Sequence, residues 1–118
     1  MDINVTNLAN AVFSCIVICI VYCILLCWYL RSPIMYRFYK PDCIYCKQSE
    51  ADWNSFSSFC LSARCINVRL DDEKNKYLVE NFQVDSVPTI WKVLSNGERY
   101  KYDGDRSVSG YKKFISNI

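Results

Sequence analysis

A run of uncharged residues near the N-terminus is the feature that most limits what this chain can fold into. Residues 11–30 contain no Asp, Glu, Lys or Arg and are dominated by Ile, Val, Leu and Cys. Twenty helical residues extend about 30 Å, the thickness of the hydrocarbon core of a bilayer. The run ends in Trp28 and Tyr29, residue types that are enriched at membrane interfaces. We therefore predict a transmembrane helix over residues 11–30, after a short polar tail over residues 1–10.

A cleaved signal peptide is the competing interpretation of this run. Signal peptides carry a basic segment, a shorter apolar core and small residues at the cleavage site. In this chain Asp2 is the only charged residue before the run, and the run ends on bulky side chains. A retained anchor that crosses the membrane once explains the pattern better.

Four cysteines recur at every fourth position of the predicted anchor, along one drifting stripe of its surface. They are Cys15, Cys19, Cys23 and Cys27. The simplest interpretation is a stripe of small side chains that packs against lipid or another helix. A homodimer formed through this stripe and palmitoylation of Cys27 are the alternatives.

The residues after the anchor are sufficient for one small domain, predicted over residues 34–118. All 14 Lys and Arg residues lie at position 31 or later, but they are scattered and nearly balanced by acidic residues. This composition does not favour nucleic acid as a partner. The chain has no His, which excludes Ser–His catalysis, Cys–His catalysis and histidine metal ligands from within it.

Two cysteines separated by two residues, Cys43 and Cys46, follow a short run with the composition of a strand. The residues after them, from Lys47 to about Cys60, are typical of a helix. The first cysteine then lies at a helix N-terminus, where unpaired N–H groups and the helix dipole stabilise a thiolate. The second lies one turn further on, close enough to attack a mixed disulfide formed by the first. We therefore predict a dithiol/disulfide site at Cys43 and Cys46.

The remaining segments predict the element order β-α-β-α-β-β-α. The first connections have the βαβ pattern, which predicts parallel pairing, and Asn96-Gly97 predicts a hairpin with an antiparallel edge strand. An apolar stripe of Tyr77, Leu78 and Phe82 is expected on the second helix. The predicted strands are 34–39, 65–70, 87–94 and 99–102, and the predicted helices are 47–60, one that begins near residue 71, and 107–118.

Three sequence blocks in this order resemble the thioredoxin superfamily, and most closely thioredoxin domains of the protein disulfide isomerase type. The blocks are residues 38–47 around the cysteine pair, residues 84–90 around Pro88, and residues 96–106. The resemblance implies an α/β thioredoxin-like fold with a mixed four-stranded sheet. It also implies a thiol–disulfide oxidoreductase, whose direction as reductase, oxidase or isomerase is left open.

The resemblance further implies roles for particular residues. Cys43 is the expected nucleophile and Cys46 the resolving thiol, with no cofactor other than the redox-active Cys43–Cys46 disulfide. Pro88 is expected in the cis form against this disulfide, and Val87 and Tyr45 are expected to contact an extended substrate. A cis bond without proline costs about 2.5–4 kcal/mol, which explains the need for proline there. Arg106 is expected to adjust the pKa of the resolving thiol. Expected partners are protein thiols and disulfides and an upstream electron donor or acceptor.

Three positions depart from the family pattern. Arg37 stands where the family has a buried acid that moves protons for the second cysteine. Arg37 is therefore expected to face outward, or else proton transfer uses water or another group. Asp42 replaces a Trp and adds a negative charge that opposes thiolate formation at Cys43. The dipeptide Ile44-Tyr45 contains neither the His of isomerases nor the Gly-Pro of thioredoxins.

Two other functions compete with the oxidoreductase. In a structural zinc site, Cys60 and Cys65 would complete four thiolates with Cys43 and Cys46. In a non-catalytic binding module, the fold would hold a client without redox chemistry. The simplest interpretation of Cys60 and Cys65 themselves is a pair of buried free thiols, with a second disulfide or a regulatory pair as alternatives. The large aromatic residues are expected in the core: Tyr36, Phe38, Trp53, Phe56, Phe82 and Trp91.

The basic residues suggest which side of the membrane the domain faces. Arg31, Arg37 and Lys40 follow the anchor, and no basic residue precedes it. The positive-inside rule then predicts a cytosolic domain. The isomerase-type resemblance favours the oxidising lumen of the endoplasmic reticulum instead, which stays as the alternative.

Overall fold

The computed structural model describes residues 4–117, and the chain divides into two compact units between Arg31 and Ser32. The first unit is a single helix and the second is an α/β domain. Its elements are α1 (Val5–Arg31), β1 (Ile34–Tyr39), α2 (Ile44–Phe59), β2 (Arg64–Arg69), a 3₁₀ turn (Glu73–Asn75), α3 (Lys76–Asn81), β3 (Thr89–Val93), β4 (Arg99–Lys101) and α4 (Val108–Ser116).

Helix α1 begins six residues before the predicted anchor. The side-chain oxygen of Asn4 accepts a hydrogen bond from the backbone N–H of Thr6 at 3.1 Å and so caps the first turn. Residues 5–10 of the predicted polar tail are therefore helical. The helix contains no charged residue before Arg31, and it is long and apolar enough to cross a membrane.

The four strands form one mixed sheet in the order β2-β1-β3-β4. Strand β1 pairs in parallel with β2, as the βαβ pattern predicts, and Ile34 lies opposite Arg64. The pairing of β3 was predicted wrongly, because β3 runs antiparallel to β1. Between β2 and β3 the chain forms a 3₁₀ turn and the six-residue α3. Strand β3 then runs in the direction opposite to β1. Strand β4 pairs antiparallel with β3, as the hairpin predicts.

Alternation along β1 divides the core into two clusters, one on each side of the sheet. Met35 faces α2 and α4 and packs with Trp53, Phe56 and Tyr111. Phe38 faces the opposite side and packs with a group around α3 that includes Val68, Phe82, Leu78 and Trp91. Of the aromatic residues expected in the core, Tyr36 and Trp91 are only partly buried. The expected apolar stripe of α3 is wrong at Tyr77, which is 79% exposed.

Two basic side chains are buried on the side of the sheet that α2 and α4 cover. Lys92 follows Ile90 by two residues on β3 and is 2% exposed. Its ammonium group donates hydrogen bonds to the carbonyl oxygens of Phe114 and Asn117, at 2.7 and 2.8 Å. These are unpaired carbonyls at the end of α4, where a cation also interacts favourably with the helix dipole. Burial lowers the pKa of Lys92. The second basic side chain is Arg37, which lies beneath the cysteine pair.

Candidate active site

Cys43 and Cys46 occupy the first turn of α2. Cys43 is the N-cap residue, and its sulfur accepts a hydrogen bond from the backbone N–H of Cys46 at 3.1 Å. A turn connects β1 to α2, and within it the backbone N–H of Cys43 donates a hydrogen bond to the carbonyl of Lys40. Cys43 is half-buried, whereas Cys46 is 3% exposed. This difference in access suits Cys43 to meet a large substrate and Cys46 to act from inside.

The pKa of the Cys46 thiol is raised above its ordinary value of 9.0. Burial is the main cause, because it disfavours the charged thiolate, and the hydrogen bond with Cys43 adds to it. A backbone contact with Lys40 and the positive charge of Arg37 act in the opposite direction. At neutral pH Cys46 is therefore a thiol, which must lose its proton before it can attack a disulfide.

Val87 and Pro88 lie beside Cys43. The Val87–Pro88 peptide bond is cis. The Cys43 thiol faces the Val87 carbonyl, with a sulfur–oxygen distance of 3.7 Å. The Thr89 hydroxyl donates to the Ser86 carbonyl at 2.6 Å, which closes the turn that carries this bond. The loop before β3 and the start of α2 thus meet at one edge of the domain.

Arg37 does not face outward, so this part of the sequence-based expectation is wrong. Its side chain is 4% exposed, and Nη2 donates a hydrogen bond to the Cys46 carbonyl at 2.9 Å. The guanidinium carbon lies 5.2 Å from the centre of the Tyr39 ring and 5.9 Å from that of Trp53. Strand alternation accounts for this placement, because Arg37 and Met35 lie on the same side of β1.

The other residues predicted at the site lie around its rim. Tyr45 is 57% exposed, and the guanidinium of Arg106 lies 5.5 Å from the centre of its ring. Asp42 is exposed at the turn before Cys43. Arg37, and not Arg106, is identified as acting on the pKa of Cys46, and its effect is the smallest of those identified. The role expected for Arg106 therefore stays a prediction.

A surface cavity of about 350 Å³ adjoins Pro88. Its walls come from the start of β3 and from the loop that leads into α4. The cavity is open to solvent and contains both apolar and acidic side chains. It is lined by Pro88, Ile90, Tyr102, Asp103, Gly104, Asp105 and Arg106.

Cys60 and Cys65 lie away from the cysteine pair. Cys60 caps the C-terminus of the 16-residue α2 and Cys65 is in β2, whereas Cys43 and Cys46 lie at the N-terminal end of α2. A helix of this length extends about 24 Å, which is too far for four thiolates to share one zinc ion. Within residues 4–117 no three Cys, Asp or Glu side chains are grouped to hold a metal ion. Burial, followed by the neighbouring Cys60, raises the pKa of Cys65 to about 12.

Comparison with known proteins agrees with the fold. The thioredoxin family model matches residues 30–117, which is most of the chain. The chain therefore belongs to the thioredoxin family.

Individual relatives come from several subgroups of the family. Over 83 residues the chain is 30% identical to a protein disulfide-isomerase from Datisca glomerata, which covers 70% of the chain and 16% of that protein. It is 28% identical to thioredoxin-related transmembrane protein 1 from Homo sapiens, which covers 70% of the chain and 29% of that protein. The chain thus spans less than a third of the length of these curated relatives.

Solved structures share the fold at lower identity. The J-Trx1 fragment of ERdj5 superimposes with a TM-score of 0.64 at 24% identity, covering 75% of this chain and 42% of that one. Thioredoxin-2, described as a component of the malaria parasite protein secretion machinery, has a TM-score of 0.63 at 22% identity, covering 74% of this chain and 84% of that one.

Sequence reasoning missed the burial of Lys92 and left that of Arg37 open. Both residues lie two positions from an apolar residue that faces α2 and α4, namely Ile90 and Met35. The strand period alone therefore signals that these two cations point inward. Arg and Lys usually lie at the protein surface, so residue type alone predicts that these two side chains are exposed.

Proposed function

We propose that this chain is a membrane-anchored thiol–disulfide oxidoreductase that acts on protein thiols and disulfides. Cys43 is its nucleophile and Cys46 its resolving thiol. The observation that carries the proposal is the placement of Cys43 as the N-cap of α2, with its sulfur hydrogen-bonded to the Cys46 N–H and facing the Val87 carbonyl. Membership of the thioredoxin family supports this class of activity.

The chemistry follows from the different access of the two sulfurs. The Cys43 thiolate attacks one sulfur of a substrate disulfide, and the other substrate sulfur leaves as a thiolate. Cys46 then loses its proton to water, and its thiolate attacks the Cys43 sulfur. The Cys43–substrate bond breaks and the Cys43–Cys46 disulfide forms. Two electrons pass from the protein dithiol to the substrate, and the reverse sequence oxidises a substrate dithiol.

Substrate binding involves the loop that carries Val87 and Pro88. The backbone at Val87 lies beside the Cys43 sulfur and so is available to an extended peptide that brings its own sulfur there. The cavity next to Pro88 extends this surface, and the guanidinium of Arg106, one of its lining residues, lies 5.5 Å from the centre of the Tyr45 ring on α2. A free backbone segment and an adjoining cavity favour protein segments over small thiols as substrates.

The apolar helix α1 supplies the anchor in this proposal. Its length and composition suit a single crossing of the membrane, and a thioredoxin-related transmembrane protein is among the relatives. The basic residues that follow the helix favour a cytosolic domain. A domain in the lumen of the endoplasmic reticulum is the alternative arrangement.

Replacement of Cys46 by Ser is expected to trap the mixed disulfide between Cys43 and its protein substrates. The serine hydroxyl is a poor nucleophile for sulfur, so the second half of the exchange stops. The full chain carrying Cys46→Ser is expressed in cells, free thiols are blocked at lysis, and covalent complexes are separated on non-reducing gels. Complexes that disappear on reduction are the expected result.

A chain carrying both Cys43→Ser and Cys46→Ser is the matched control, and it should form none of these complexes. Complexes that persist in the double variant would arise from another cysteine and would contradict the assignment. A folded Cys46→Ser chain that traps no protein would instead support the non-catalytic binding module.

A further inference from the structure

Arg37 is a cation buried directly beneath the first turn of α2. It lies in the middle of β1, a central strand of the sheet, on the side that α2 covers. Its guanidinium is held between the Tyr39 and Trp53 rings, and Nη2 donates to the Cys46 carbonyl at 2.9 Å. This contact fixes the charge relative to the backbone of the resolving cysteine.

No carboxylate within residues 4–117 forms an ion pair with Arg37, and its buried Nε has no hydrogen-bond partner among them. Burial of an unpaired charge is costly, so buried cations normally have an anion nearby. The aromatic rings supply part of the stabilisation through cation–π contacts. The group close to Arg37 that can acquire a negative charge during the exchange is the Cys46 thiol.

We propose that Arg37 is a positioning residue whose fixed positive charge stabilises the Cys46 thiolate when Cys43 is held in a mixed disulfide. This inference rests on the proposed function and assigns a role to a residue outside the cysteine motif. Arg37 does not accept or donate the proton, because a guanidinium stays protonated in proteins. The proton of Cys46 leaves to water, and Arg37 lowers the free energy of the anion that remains.

The other titratable groups that act on Cys46, Arg37 or their neighbours include Cys43, Tyr111 and Asp52. Cys43 lies beside Cys46 on the same helix, and its charge is removed when its sulfur enters the mixed disulfide. Tyr111 on α4 interacts with Arg37 and with Arg106, and burial raises its pKa to about 12, so it is neutral at physiological pH. Asp52 on α2 also acts on Tyr111. Arg37 is therefore the charged side chain identified as acting on Cys46 from the sheet.

The expected consequence is a change in the pH dependence of the release step. An adjacent opposite charge typically shifts a pKa by one unit or more. Arg37→Gln removes the charge and keeps an N–H donor for the Cys46 carbonyl. We expect it to move the midpoint of release to higher pH and to make release at pH 7 about three- to tenfold slower.

The measurement uses the full chain in detergent micelles, with every cysteine other than Cys43 and Cys46 replaced by serine. The aromatic disulfide DTNB forms a mixed disulfide with Cys43 and liberates one coloured thiolate. Attack by Cys46 then liberates the second, and stopped-flow absorbance gives the rate of this step from pH 6 to 11. Arg37→Lys keeps a charge without the planar guanidinium, and its midpoint should lie between those of the unsubstituted chain and Arg37→Gln.

The chain with Arg37 intact provides a test that does not depend on the variant folding. Cys65 is a partly buried thiol on which no basic side chain is identified as acting, and burial followed by the neighbouring Cys60 raises its pKa to about 12. With Arg37 in place, we expect the release midpoint to lie clearly below that value. A midpoint at or above about 12 with Arg37 present would overturn the inference.

The outcomes separate this inference from the proposed function. If Cys46→Ser leaves the second release unchanged, Cys46 is not the resolving thiol and the proposed function is wrong. If release requires Cys46 and a folded Arg37→Gln chain has the same midpoint as the parent, only the role of Arg37 is wrong. Circular dichroism establishes that each variant is folded.

Discussion

Replacement of Cys43 by Ser is expected to lower the rate of disulfide exchange by about 10³-fold or more, the largest effect on activity of any single substitution. The thiolate is the nucleophile in this chemistry, and a serine hydroxyl cannot form the mixed disulfide. Cys46 cannot replace Cys43, because it is 3% exposed and its pKa is raised by burial. The assay is reduction of a generic protein disulfide such as insulin, with a small dithiol as the electron source.

Cys60→Ser is the matched control for this loss. Cys60 is also a partly buried cysteine at an end of α2, but at the end opposite Cys43. We expect Cys60→Ser to retain most of the activity. Full activity in a folded Cys43→Ser chain, or a comparable loss in Cys60→Ser, would contradict the assignment of the nucleophile.

Trp53→Ala is expected to have the largest effect on stability, lowering the free energy of unfolding by about 3–5 kcal/mol. Trp53 is completely buried between α2 and the sheet. Its ring packs against Tyr111 with centres 5.5 Å apart and against Phe56 at 5.9 Å. It also covers the Arg37 guanidinium, so its removal opens the site to water from below. Urea unfolding of the reduced chain in detergent, followed by circular dichroism, gives the free energy.

Phe59→Ala provides the comparison for a large aromatic residue on the same helix. Phe59 is 83% exposed, and its replacement should change the free energy of unfolding by less than about 0.5 kcal/mol. If Trp53→Ala destabilised the domain no more than Phe59→Ala, the packing of α2 described above would be incorrect. A domain of this size has only about 5–15 kcal/mol of stability, so the expected loss is a substantial fraction.

The parts of the fold that the sequence predicts are those with a short-range cause. A strand composition before Cys43 and a helical composition after it place the cysteine at a helix N-terminus, and the structure has Cys43 as the N-cap. The Asn96-Gly97 pair predicts the hairpin between β3 and β4, where Gly97 adopts a positive φ of 91°. Turn residues and caps act over a few residues, so a local sequence pattern is sufficient to predict the hairpin and the start of α2.

The errors concern features that depend on distant parts of the chain. The direction of β3 depends on how the segment after β2 turns, and α3 is too short for its pattern to reveal that direction. The burial of Arg37 depends on Trp53 and Tyr39, which enclose its guanidinium. A general preference for surface exposure cannot account for such an enclosure. At Arg37 the strand period proves the better guide, because every second residue of β1 faces α2.

The central claim is that Cys43 and Cys46 form a reversible redox pair, and a redox titration of the full chain tests it most directly. The chain is equilibrated with defined ratios of reduced and oxidised glutathione or dithiol, free thiols are alkylated, and mass spectrometry identifies the linked cysteines. We predict a single two-electron transition that links Cys43 to Cys46. A midpoint near about −270 mV would indicate a reductase, and one near about −180 mV an oxidant or isomerase. The claim is contradicted if Cys43 and Cys46 stay unlinked from about −300 to −120 mV in the folded chain.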